Sequence, residues 1–96
     1  MKELAKSFTK WNWNFTQIKR EGKVALYSKT KKGHTFPTYE VIIIQVRKAE
    51  TLPRGVFYPE RESFPYSEQW GTYGWSYSTL SDAEKGFQRA IKKNEK

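Results

Sequence analysis

Acid–base and nucleophilic chemistry has little to work with in this chain. Its only histidine, His34, lies between glycine and threonine in a turn-forming stretch, and its only aspartate, Asp82, stands where a helix begins. A serine triad would have to recruit both, and neither sits in the context of a nucleophile on a strained elbow. Glu60 and Glu62 in PERES are a close carboxylate pair, but an arginine between them in a loop points to solvated charge, not to general acid–base work. The chain has no cysteine, and its one histidine and scattered glutamates show no metal-ligand spacing. Gly71 and Gly74 open no helix after a strand and make no phosphate loop. These residues predict a protein that is not an enzyme and holds no metal or cofactor.

Binding chemistry is better supplied. The net charge is +8, and residues 1–48 carry eleven Lys/Arg against three Glu, so the basic character belongs to the N-terminal half. Lys19, Arg20 and Lys23 cluster at one expected turn, Lys29, Lys31 and Lys32 at a second, and Arg47 and Lys48 follow a third strand. Cations that neutralise phosphates, next to rings that stack on unpaired bases, make a nucleic-acid surface. The residues expected to carry it are Lys19, Arg20, Lys23, Lys31, Lys32, Arg47 and Lys48. A solvated basic face that keeps a small protein soluble accounts for the same charge. No RNP-like sequence, recognition helix or zinc finger is present.

Seventeen per cent of residues are aromatic. Trp11, Trp13 and Phe15 alternate along one stretch and Tyr73, Trp75 and Tyr77 along another, which is what the core beneath an amphipathic helix would contain. Trp70 stands off that alternation, so it is the ring least needed by the core and the candidate for contact with a partner.

The elements that position these groups follow from periodicity. Ninety-six residues make a single domain, 1–96. Leu4, Ala5 and Phe8 recur at helical spacing and predict a short N-terminal helix. WNWNFTQIKR and VALYSK read as two strands joined at Gly22. In YEVIIIQVRK both faces are apolar, the mark of a central strand covered on both sides. Residues 49–69 hold three of the four prolines and read as a long loop, packed down by Phe57, Tyr58, Phe64 and Tyr66. GTYGWSYS supplies a fourth strand. Leu80, Ala83, Phe87, Ala90 and Ile91 then mark an amphipathic helix capped by Thr79 or Ser81. The expected fold is α+β: a four-stranded, mostly antiparallel sheet with one C-terminal helix on one face. With no secretory h-region and no apolar run of membrane-spanning length, a soluble cytoplasmic protein is expected.

YEVIIIQVRKAE, FYPERESFPYSEQWGTYGWSY and the capped TLSDAEKGF, over residues 39–90, resemble small uncharacterised proteins of bacteriophages and prophages. That resemblance implies a viral or mobile-element setting, with the host cytoplasm as compartment, and transfers no site residues. Two functions remain open. One is a small non-enzymatic protein contacting nucleic acid through basic turns and exposed aromatics. The other is a phage-type accessory protein that binds a host or viral protein, or a second copy of itself, through an apolar sheet face or the loop at 49–70.

Overall fold

The computed structural model describes residues 3–10 and 12–94; Trp11 lies outside them. The fold is α+β, with an antiparallel sheet of five strands, not four, and a single C-terminal helix packed against it. Strands β1 (Ser7–Lys10), β2 (Trp13–Glu21), β3 (Val24–Thr30) and β4 (Thr38–Ile43) form a meander. The other neighbour of β4 is the last strand, Gly74–Tyr77, so β4 is interior, as its two apolar faces required.

The fifth strand comes from the segment read as an N-terminal helix. Phe8 pairs with Phe15, and Lys10 with Trp13, across a turn in which Asn12 takes the left-handed conformation (φ 67°). Long-range partners outbid one or two turns of helix here. Leu4 N–H donates to Glu62 Oε1 (3.0 Å), the Ala5 carbonyl accepts from Tyr27 OH (2.8 Å), and Gln17 N–H donates to the Lys6 carbonyl (2.7 Å). A short terminal helix has no comparable compensation.

Residues 45–69 are an arm and not a loop. β5 (Gln45–Arg47) and β6 (Glu50–Thr51) lead out, and β7 (Phe57–Tyr58) and β8 (Arg61–Ser63) return, pairing β6 with β7 and β5 with β8. A 3-10 turn, Ser67–Gln69, leads to Trp70, then β9 (Gly74–Tyr77) and helix α1 (Leu80–Asn94). Thr79 caps α1, its Oγ1 accepting from Asp82 N–H at 3.2 Å.

Helix α1 lays Ala83, Phe87 and Ala90 on Val24, Leu26, Val41 and Ile43, joined by Tyr39, Trp75 and Tyr77. The opposite face of the sheet gathers Phe15, Ala25, Tyr27, Ile42 and Ile44, with Leu4, Phe8, Trp13, Phe64 and Trp70 over them. The two aromatic strands therefore do not share one core. Trp13 and Phe15 belong to the face away from the helix, Trp75 and Tyr77 to the helix face. The second apolar face of β4 is covered from within, so it is no bare docking surface. Of the rings expected to pack the 49–69 segment down, Phe64 does so, while Phe57 and Tyr58 stay exposed at the arm's end.

Candidate functional site

On the face away from the helix, alternation and register set polar groups among rings. Phe15 pairs with Lys29, and Tyr27 pairs with Glu40, which pairs in turn with Ser76. Over them the chain between β8 and β9 lays Phe64, Pro65 and Trp70. The result is a cleft of about 360 Å³ lined by Lys10, Trp13, Phe15, Lys29, Glu40, Phe64, Pro65 and Trp70. Strand order puts Trp13, on β2, and Trp70, beside β9, at its two ends.

Around Trp13 the cations converge. Lys29 Nζ lies 4.5 Å from the centre of its ring and 5.8 Å from that of Phe15, Lys31 Nζ lies 5.3 Å from Trp13, and the His34 ring leans against it at a tilt of 52°, ring centres 4.8 Å apart. Lys10 Nζ stands 5.9 Å from the Phe64 ring. An ammonium over an indole face is attracted by the ring quadrupole, so these lysines are held at the cleft and not dispersed in solvent. Phe36, in the same turn as Lys31 and Lys32, is 76% exposed.

At the other end, Trp70 stacks on Phe64 with ring centres 6.0 Å apart. It also covers Gly74, where a Cβ would fall 2.5 Å from the indole ring. Its Nε1–H donates to Ser76 Oγ (3.2 Å), and Ser76 Oγ donates to Glu40 Oε2 (3.0 Å). The bare strip of Gly74 and Ser76 is thus filled by Trp70 itself. Trp70 is not the ring the core can spare: one side of it packs inward, and what remains lines the cleft. Glu40 is only 5% exposed, with Lys29 Nζ 4.0 Å from its Oε1. Burial pushes the Glu40 carboxyl above its ordinary range, and Lys29, the Ser76 hydroxyl and Lys10 pull it partly back.

The seven cations expected to bind nucleic acid are scattered. A bulge at Ile18 shifts the register so that Lys19 pairs with Leu26 on the helix face. There Lys19 Nζ lies 5.1 Å from the Phe87 ring and 3.4 Å from Glu84 Oε1. Arg20 forks onto both Glu62 oxygens at 2.8 and 2.7 Å. That pairing, with the Leu4 N–H bond, holds the Glu62 carboxyl down at about 2. Arg47 stacks 4.0 Å from the Tyr66 ring centre and donates to Ser63 Oγ and Gln69 Oε1. Lys23 and Lys48 are exposed at the β2–β3 turn and beyond β5. Only Lys31 and its exposed neighbour Lys32 stand at the cleft end.

Sequence reasoning missed Glu40, Lys10 and the joining of Trp13 to Trp70. The available signal was a lone carboxylate two residues before Ile42, on the same face of a strand otherwise apolar on both sides. Among the described residues no three His, Asp or Glu side chains converge to hold a metal, and no helix is long and apolar enough to cross a membrane. No protein-family model, curated protein or solved structure matches the chain significantly.

Proposed function

We propose that the protein is a non-enzymatic binding module for single-stranded nucleic acid, taking an unpaired base into the cleft between Trp13 and Trp70. The observation that carries this reading is the convergence of Lys29 and Lys31 on the ring of Trp13 at the mouth of an aromatic cleft. A cationic ligand is disfavoured there, because the protein's own ammonium groups already occupy the ring face. An anion with a flat apolar part suits it: phosphates meet Lys31 and Lys32 at the cleft end while the base stacks beside Lys29. The recessed rings favour unpaired bases, since a duplex keeps its bases stacked on one another. Lys19, Arg20 and Arg47 act in this reading as folding contacts, with Lys23 and Lys48 outside the site.

Fluorescence anisotropy with labelled single and double strands at graded salt tests it. Single strands are expected to bind, with log K falling by about 0.7 per phosphate contact for each tenfold rise in salt. The double variant K31A/K32A should flatten that slope by about 1.4. Absence of single-strand binding at low salt would overturn the reading.

A second reading, an accessory protein that binds a host or viral protein or a second copy of itself, draws on the arm. Leu52, Val56, Phe57 and Tyr58 are all exposed at its end, Phe57 by 61%. The bacteriophage resemblance would set either role in a host cytoplasm. Light scattering across a concentration series separates self-association from a monomer.

A further inference from the structure

Glu40 is the one charged residue buried among the described residues, and it sits in the interior strand with Tyr27 and Ser76 as neighbours. A glutamine would fill the same space, and a buried carboxylate is costly unless it is well paired. Two lysines are its cationic neighbours: Lys29, 4.0 Å away, beyond hydrogen-bond distance and engaged with the Trp13 and Phe15 rings, and Lys10, which lines the same cleft and also favours the charged carboxylate. Glu40 also lines the cleft that takes the base.

The hydrogen-bond chain fixes what this carboxylate can do. An indole N–H only donates, so Trp70 spends its proton on Ser76 Oγ, and the Ser76 proton is directed to Glu40 Oε2. Glu40 is therefore held as an acceptor, with Lys29, a donor, beside Oε1. Among the bases only guanine carries two adjacent donors, N1–H and the exocyclic amine, next to an acceptor, O6, on its Watson–Crick edge. Adenine and cytosine offer one amine beside a ring nitrogen that would face the carboxylate lone pairs, and uracil or thymine offers one N–H between two carbonyls.

Resting on the nucleic-acid reading above, we infer that the cleft selects an unpaired guanine, with Glu40 accepting from its N1–H and amine, and Lys29 donating to O6. Lys29 has a flexible stem, and its withdrawal from the face of Trp13 exposes the surface on which the base stacks. Hydrogen bonds to a charged acceptor discriminate strongly, because the wrong base covers the carboxylate without supplying the two donors that replace its water.

The test is competition of short single strands, identical except for one central base, against a labelled guanine-containing strand on the full chain. A strand with guanine should bind at least about tenfold more tightly than one with adenine, cytosine or uracil, and inosine, lacking the amine, should fall between. E40Q should make the strands equivalent, and its melting temperature should match or exceed that of the parent because a neutral side chain suits the buried site. Equal affinity for all strands, or a preference that survives E40Q, would overturn guanine selection and leave the nucleic-acid reading standing. Failure of every strand to bind would overturn both. The inosine comparison uses the unmodified protein, so the test does not depend on how the variant folds.

Discussion

On the helix side of the sheet, Val24, Leu26, Val41 and Ile43 meet Ala83, Phe87 and Ala90. On the other side, Phe15, Ala25, Tyr27, Ile42 and Ile44 meet Phe8, Phe64 and Trp70. The same strands supply both faces by alternation, yet the two are sealed differently. A regular helix with small residues at Ala83, Gly86 and Ala90 can approach the sheet closely; a Cβ at Gly86 would collide with the Tyr77 ring. The far face is covered by extended pieces, β1 and the chain after β8, held by individual polar staples: Arg20 to Glu62, Tyr27 to Ala5, Arg47 to Gln69. Large rings under an irregular cover leave gaps, and here the gap became a cleft with charge at its edge. The helix face keeps a pocket as well, about 280 Å³ between Trp75, Tyr77 and the helix, but no buried charge lines it; under the piecewise cover the cleft reaches Glu40.

Breaking each face in turn measures that difference. Phe87→Ala removes the central ring of the helix seal and should cost about 3–5 kcal/mol, lowering the melting temperature by about 15 °C or more. Gly74→Ala strikes the other face, pushing the indole of Trp70 off its seat and away from Ser76. It should cost about 1–3 kcal/mol, red-shift tryptophan emission and weaken ligand binding while the helix stays folded by circular dichroism. Glu62→Gln removes a staple and should cost about 1–2 kcal/mol at neutral pH, a figure reduced for the partial exposure of Arg20. The folded carboxyl titrates at about 2, below its unfolded value of 4.5. Its contribution is therefore complete above pH 4.5 and is lost as pH falls toward 2. Parent and Glu62→Gln should converge in stability over that window, which urea melts at stepped pH will show.

The features legible in the sequence were those that a local pattern controls. The hairpin at Gly22 (φ 60°), the interior strand, the strand after Gly71 and the capped helix all follow from alternation, turn chemistry or helical spacing. What escaped depended on contacts distant in sequence. The N-terminal segment is extended because Tyr27 OH donates to its Ala5 carbonyl and Glu62 accepts from its Leu4 N–H. Nothing in residues 49–69 announces that β5 and β8 pair. The site is half visible: basic turns and aromatic strands are legible in the sequence, but which face each ring occupies depends on the sheet order. The Ile18 bulge, invisible in composition, sends Lys19 to the helix face. The interior position of β4 is legible, but not that Ser76 and Lys29 would meet Glu40 there, because that depends on which strands flank it.

The most direct measurement follows the indole N–H resonances of the isotopically labelled protein while an unlabelled, guanine-containing single strand is added at low salt. Trp13 and Trp70 line the cleft, whereas Trp75 lies on the helix face and reports the other surface. The expected result is a shift of Trp13 and Trp70 that saturates with the strand while Trp75 stays still. Shifts confined to Trp75, or no shift of Trp13 and Trp70 at saturating strand, would contradict a binding cleft on the face away from the helix.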